Sequence, residues 1–260
     1  MISNRVFNFL LFLLALTHLL GFAIDVIEVD SAQLAQISRE MLLSGNPFQL
    51  TFLGEPYLDK PHLLFWTSAL SMKIFGVGSM AYKLPSLIFA ALCIFSVYRF
   101  SKLFYDEATS KLAVLIAASH QAMFIATNDV RADTILMGTV MFSLWQLAAL
   151  YQSGKFKHLF YASMGVAFAM MAKGPIGFVL PIFAFIPALL ISGEWRKLVS
   201  VKWIVGVTVV AIFLVPICLA HYFQFGLEGL KFYFWTQSFG RITGESSWRN
   251  NPDMFFVVHT

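Results

Sequence analysis

Apolar stretches long enough to cross a bilayer recur along this chain, each ended by a few charged or turn-forming residues. Few patterns constrain a fold more. Backbone inside lipid has no water to bond, so each run must close its own hydrogen bonds as a helix. The runs lie at about 6–24, 84–104, 112–127, 134–151, 159–172, 176–192 and 203–222, and an eighth begins near Met254. Helices of this length joined by short turns pack as a bundle of antiparallel neighbours. The expected fold class is therefore all-α, a polytopic transmembrane helical bundle with interfacial helices on one face. Composition agrees: 58% of residues are hydrophobic and 12% are charged, where a soluble domain carries about 25% charged residues. The run 62–75 is shorter and contains Lys73, which suits an interfacial or re-entrant helix. The first run ends Gly21-Phe22-Ala23-Ile24-Asp25, without the small-x-small cleavage pattern of a signal peptide, and reads as an uncleaved first helix. Cys93 and Cys218 fall inside apolar runs and read as small buried side chains.

Charge then assigns sides. If Arg5 is cytoplasmic, so are Arg99, Lys102, Lys111, Lys155, Lys157, Arg196, Lys197 and Lys202, accompanied only by Asp106, Glu107 and Glu194. Short basic loops mark the cytoplasmic side. The remaining acids fall on the far side, chiefly in the large segments 25–83 and 223–253. The net charge of +4 is a topological signal, and no nucleic-acid partner is implied.

The far side collects polar clusters: Asp30, Asp59-Lys60-Pro61, the loop Asn128-Asp129-Val130-Arg131-Ala132-Asp133, Lys173-Gly174-Pro175, the segment around Arg241, and 249–253. Charge at a membrane boundary is costly unless solvated, paired or used. Each cluster also has a bland explanation. Asp30 or Ser31 suits the N-cap of a helix over 32–44, which Gly45-Asn46-Pro47 ends. Asp59-Lys60 suits a solvated turn with a local ion pair, Lys173 a snorkelling lysine, and Phe232-Tyr233-Phe234-Trp235 an interfacial aromatic helix. The functional alternatives are a general base at Asp30, a metal ligand or base-orienting acid at Asp59, and phosphate contacts at Lys60, Lys173 and Arg241. Among soluble-site signatures, no P-loop, GxGxxG, HExxH or CxxC occurs, and the histidines have no ligand spacing.

In combination these motifs resemble a known family. An acidic motif after the first run, Asp59-Lys60-Pro61 leading into Leu63-Leu64-Phe65-Trp66, Ile74-Phe75-Gly76, Lys83-Leu84-Pro85-Ser86, the Arg131–Asp133 turn, Lys173-Gly174-Pro175 and Gly240-Arg241 are similar, in that order, to the GT-C membrane glycosyltransferases. The bacterial branch that includes lipid A aminoarabinose transferase and the protein O-mannosyltransferase relatives is the nearest. The resemblance implies an inverting glycosyltransferase that moves a sugar from a polyprenyl phosphate to lipid A, a glycan or a protein. It also implies a multi-pass protein of the bacterial inner membrane, with a cytoplasmic N-terminus and a site facing the periplasm. It assigns catalysis to Asp30 and Asp133, substrate binding to Lys60, Lys173, Arg241, Arg131 and Tyr57, and a divalent metal, the one cofactor suggested, to Asp59. This chain departs from the family in two places. Asp30-Ser31 stands where Asp-Glu is common, and Trp235-Thr236-Gln237-Ser238-Phe239-Gly240 lacks the histidine of metal-binding members. Members also carry further spans and a C-terminal soluble domain, so 1–260 reads as the N-terminal transmembrane part of a longer chain. A transporter or flippase for lipid-linked substrates is the alternative, and a non-catalytic anchor or assembly subunit is a third reading. The first predicts charges near the bilayer midplane, whereas these lie at the ends of runs.

Overall fold

The computed structural model describes residues 3–26, 28–237 and 239–240. Arg241, the 249–253 cluster and the run expected from Met254 lie outside the described residues. Helices dominate: α1 Asn4–Gly21, α2 Val29–Ser44, α3 Leu63–Phe75, α4 Ser79–Phe104, α5 Glu107–Ser119, α6 Gln121–Asn128, α7 Ala132–Ser153, α8 Phe156–Lys173, α9 Ile176–Ile191 and α10 Lys202–Lys231. Each apolar run within the described residues is largely helical. Among the described residues four helices, α1, α4, α7 and α10 with its continuation, are long and apolar enough to cross a membrane. A fifth is counted if α5 and α6, bent by 52° at a break, form one span. The run expected as continuous over 112–127 is thus interrupted. His120 adopts extended backbone there and accepts the Ala122 amide on its ring nitrogen, starting a new helix.

Helices α4, α7, α8 and α10 form the packed centre, with α9 folded back on α8 and α1 against α5 and α6. Glycines set the closest approaches. A Cβ at Gly138 of α7 would lie 2.4 Å from the Phe89 carbonyl oxygen of α4, and one at Gly177 of α9 would lie 2.3 Å from the Ala169 carbonyl carbon of α8. Small residues allow such backbone contact where no hydrophobic effect drives helices together. Outward positions on α1 are bare apolar side chains, with Phe9, Phe12 and Leu20 each at least 60% exposed, as a lipid-facing surface requires.

One end of the bundle is elaborated. There α2, a two-residue hairpin and α3 cover a core of Leu34, Ile37, Leu50, Leu64, Phe65 and Tyr82 that continues into Ile135, Ala167 and Met170 of the bundle. Strand β1 (Thr51–Phe52) pairs antiparallel with β2 (Glu55–Pro56), Thr51 opposite Pro56. Leu53 and Gly54 between them both take positive φ, 54° and 84°, as a tight primed turn demands. Leucine is a poor residue for that conformation, and Glu40 of α2 compensates. Its carboxylate accepts the Leu53 amide (2.9 Å), the Gly54 amide (3.4 Å) and the Thr51 hydroxyl (2.7 Å). Helix α2 begins at Val29 with Glu28 in the capping position and no side-chain cap. The N-cap expected at Asp30 or Ser31 is therefore corrected: Asp30 lies inside the first turn, where negative charge suits the helix dipole.

Candidate active site

The elaborated end carries the polar clusters, and short local contacts organise each of them. Asp30 projects from the first turn of α2, exposed, with no hydrogen bond or ion pair among the described residues. Beside it the Ser31 carbonyl accepts the Tyr82 hydroxyl at 3.1 Å, fixing the start of α2 to α4. Glu28 reaches the other way. Its amide donates to the Asp129 carboxylate at 3.4 Å, and its carboxylate pairs with the Arg131 guanidinium, which lies 3.5 Å from Asp129 as well. The hydrogen bond that Glu28 shares with Asp129 and its partial burial hold the Glu28 carboxyl above the ordinary range, although Arg131 pulls it down.

The α6–α7 turn that supplies Asp129 and Arg131 is strained. Val130 has φ +45° and is 1% exposed, a left-handed conformation that a β-branched residue adopts only when its surroundings force it. Burial of the valine in the core supplies that force and leaves Arg131 exposed, with Asp129 half-buried beside it. At the other side of the turn Asp133, in the first turn of α7, pairs with Lys173, in the last turn of α8. Each charge sits on the helix end whose dipole favours it. Gly174, with φ +74°, stops α8 immediately after the lysine.

On the third side Asp59 and Lys60 form an ion pair of 2.8 Å, half-buried in the turn before α3. The Gln237 side chain donates to the Asp59 carbonyl. Tyr57 lies edge-on to Phe65 with 6.1 Å between ring centres. The segment expected as an interfacial aromatic helix is corrected here. Phe232–Thr236 is a π-helical turn continuous with α10, and Tyr233 within it is fully buried, its hydroxyl donating to the Met170 carbonyl at 3.0 Å.

Of the residues expected from sequence, the structure thus joins Asp133 with Lys173, Asp59 with Lys60, and Arg131 with the acids around Asp30. Asp30 stands at the same end of the bundle without a direct bond to a cation among the described residues. The exposed pair of Lys173 with Asp133 is worth only about 0–1 kcal/mol. An incoming anion can therefore take over Lys173 from its carboxylate at little cost and gain charge-assisted hydrogen bonds. The metal role expected of Asp59 finds little support in its surroundings. Its carboxylate is engaged by Lys60, and among the described residues no three His, Cys, Asp or Glu side chains are placed to share an ion.

Sequence reasoning missed several participants. Glu28 lay unnoticed in an acidic stretch, and Gln237 was read only as the absence of a histidine. Lys83 was read as one letter of a linear motif. It is 1% exposed, and its ammonium donates to the Gly21 carbonyl at 3.2 Å and to the Ile24 carbonyl, closing the C-terminal end of α1. That end is where unpaired helix carbonyls and negative dipole collect.

A membrane-embedded helical bundle with a charged, phosphate-suited end defines the class. Residues 59–220 match the family of dolichyl-phosphate-mannose-protein mannosyltransferases, and the chain belongs to that family. Relatives include the undecaprenyl phosphate-alpha-4-amino-4-deoxy-L-arabinose arabinosyl transferase of Pseudomonas aeruginosa strain LESB58, 28% identical over 236 residues, covering 88% of this chain and 42% of the relative. The second such transferase of Proteus mirabilis is 24% identical over 269 residues, covering 99% of this chain and 48% of its own length. Crystal structures of ArnT from Cupriavidus metallidurans share the fold. The apo form superimposes with a TM-score of 0.79 over 87% of this chain and 43% of that one, at 17% identity, and the form bound to undecaprenyl phosphate with 0.76 over 91% and 45%, at 18%. The chain therefore spans less than half the length of the proteins it matches.

Proposed function

We propose that this chain is the catalytic membrane part of an inverting glycosyltransferase that moves a sugar from a polyprenyl phosphate to an envelope acceptor. The single observation that carries the reading is the grouping of ion-paired basic side chains, Arg131 with Glu28 and Lys173 with Asp133, at the same end of an apolar bundle as Asp30, an exposed carboxylate unengaged among the described residues. The relatives' names favour undecaprenyl phosphate as carrier and 4-amino-4-deoxy-L-arabinose as sugar, with lipid A, a glycan or a protein as acceptor. The charge asymmetry of the loops favours a site on the periplasmic face of the inner membrane.

In this mechanism the acceptor oxygen attacks the anomeric carbon while the bond from that carbon to the carrier phosphate breaks, inverting the centre. Asp30 takes the acceptor proton. It is free of other bonds among the described residues and exposed to the water that must deliver and remove that proton. The departing phosphate keeps the bonding electrons and needs no proton. Lys60, Lys173 and Arg241 stabilise its added charge, while Asp133 and Asp59 hold the lysines in place until the substrate arrives. Arg131 and Tyr57 line the approach.

The test is transfer from undecaprenyl-phosphate-linked aminoarabinose in membranes containing the protein. Asp30→Asn is expected to reduce turnover by about 10²–10⁴-fold while binding of undecaprenyl phosphate persists. Retention of full transfer by that variant removes Asp30 from catalysis.

A further inference from the structure

Three aromatic residues from separate segments form a file inside the elaborated end. His62 meets His221 edge to face with 5.0 Å between ring centres, and His221 stacks on Tyr233 at 5.1 Å and 28°. All are buried, at 0%, 1% and 0% exposure. None belongs to the ion pairs described above. Among the described residues the two His221 nitrogens lack a hydrogen-bond partner, an unusual cost for a buried polar group, and the His62 ring has only the Phe48 backbone beside it. Burial, with a lesser push from His221, brings the His62 imidazole down to about 3, so it is neutral at physiological pH.

The ends of the file give it meaning. His62 is separated from Lys60 only by Pro61, which is buried and stiff. At the other end the Tyr233 hydroxyl holds the Met170 carbonyl, one turn before Lys173 on α8. The file thus runs from the backbone that carries one candidate phosphate lysine to the backbone that carries the other. Its middle member depends on a reversal of α10. Gly226, with φ +62°, breaks the helix so that the chain turns back over His221. A Cβ at Gly229 would lie 2.6 Å from the His221 carbonyl oxygen, so the return passes against His221 as closely as backbone allows. A π-helical turn then delivers Tyr233 onto the ring. Such turns are rare and concentrate at functional sites.

We propose that the His62–His221–Tyr233 file is a positioning element that fixes the backbone segments carrying Lys60 and Lys173 relative to each other, so that the two lysines suit one carrier phosphate. The inference rests on the reading of those lysines as phosphate partners. The file itself carries no charge to offer an anion and acts through the lysines. Phosphate contacts are steep in distance, and a misplacement of about 1 Å can cost about 10²-fold. A rigid aromatic stack is a better gauge of that distance than the two flexible lysine side chains.

The experiment compares His221→Ala, His221→Phe and Tyr233→Phe with the unaltered protein in membranes. Readouts are transfer kinetics, direct binding of undecaprenyl phosphate and the unfolding midpoint. His221→Ala is expected to raise the carrier KM and Kd at least about tenfold with kcat changed far less. His221→Phe, which restores a ring, is expected to recover most of that loss. Tyr233→Phe keeps the stack, drops only the bond to Met170, and is expected to give a smaller rise in the same direction; it serves if His221→Ala does not fold. Lys60→Ala and Lys173→Ala run alongside. If the lysine variants weaken carrier binding and the stack variants leave it unchanged, or if losses follow the unfolding midpoint and Phe does not rescue, the positioning role is overturned. If the lysine variants bind the carrier normally, the phosphate reading falls and the inference with it.

Discussion

Lys83 and Asp30 show how little the residue type alone says at a membrane boundary. Both are charged, near in space to the same helix ends, and present in motifs of the same family pattern. Lys83 is sealed against the carbonyls of Gly21 and Ile24, whereas Asp30 is exposed and unengaged among the described residues. A hydrogen bond from a charged donor contributes about 1.5–3 kcal/mol. Lys83→Met keeps the length and loses the charge, so it is expected to lower stability by about that amount, read as a lower unfolding midpoint in detergent. A midpoint equal to that of the unaltered protein would show that the cap contributes nothing. The sequence carried a signal for both residues, charge beside an apolar run, but none for which one faces inward. That difference is decided by α4 meeting the end of α1, a contact between segments far apart in the chain.

At the scale of elements, the helices were legible because lipid leaves an apolar run only one structure. Their breaks were less so. The bend at His120 and the reversal at Gly226 arise from local backbone geometry that hydropathy averages away. The hairpin over 51–56 was not legible at all, since Leu53 and Gly54 do not advertise a primed turn and the stabilising group, Glu40, lies on α2. Burial by itself would raise the Glu40 carboxyl, but the hydrogen bonds from Thr51, Gln36 and the Leu53 and Gly54 amides outweigh it and hold the group below the ordinary range. A lowered value means that the contact is in full force above the ordinary carboxylate pKa and is lost as pH falls through the lowered one. Amide exchange at Leu53 and Gly54 is therefore expected to lose protection on acidification, once the intrinsic pH dependence is removed, and Glu40→Gln is expected to flatten that response. Between helices, Gly138 is the sharpest test. Alanine there meets the Phe89 carbonyl at 2.4 Å, and separating α4 from α7 is expected to cost about 1–3 kcal/mol, visible as reduced folded yield. An alanine variant as stable as the original would mean that the two helices part freely.

For the whole molecule, the two ends differ in kind. One carries short basic turns, the other α2, the hairpin, α3 and the paired charges. Orientation in the membrane is open to direct measurement, because Val29 and Val199 are 82% and 81% exposed at opposite ends. A membrane-impermeant thiol reagent added to intact cells stripped of their outer membrane is expected to label Val29→Cys and to spare Val199→Cys until the membrane is opened. The reverse pattern would turn the proposed site toward the cytoplasm. The charge count anticipated this asymmetry. The local pair of Asp59 with Lys60 was legible as a turn, but the pairing of Lys173 with Asp133 and of Arg131 with Glu28 was not, because it depends on which turns adjoin at the end of the bundle.

The bond from Lys83 to the end of α1 also sets an order of events during synthesis. The carbonyls of Gly21 and Ile24 leave the ribosome long before the lysine that closes them. Until α4 has been made, the first helix lacks that clasp at its C-terminal end, although the segment carrying α2 and α3 has already left the ribosome. Arrival of α4 therefore ties off that segment at both ends, giving it a closed base on which to fold before the later helices arrive. A nascent chain halted before Ser79 would keep an unfastened first helix, and its segment 25–78 would remain open to protease.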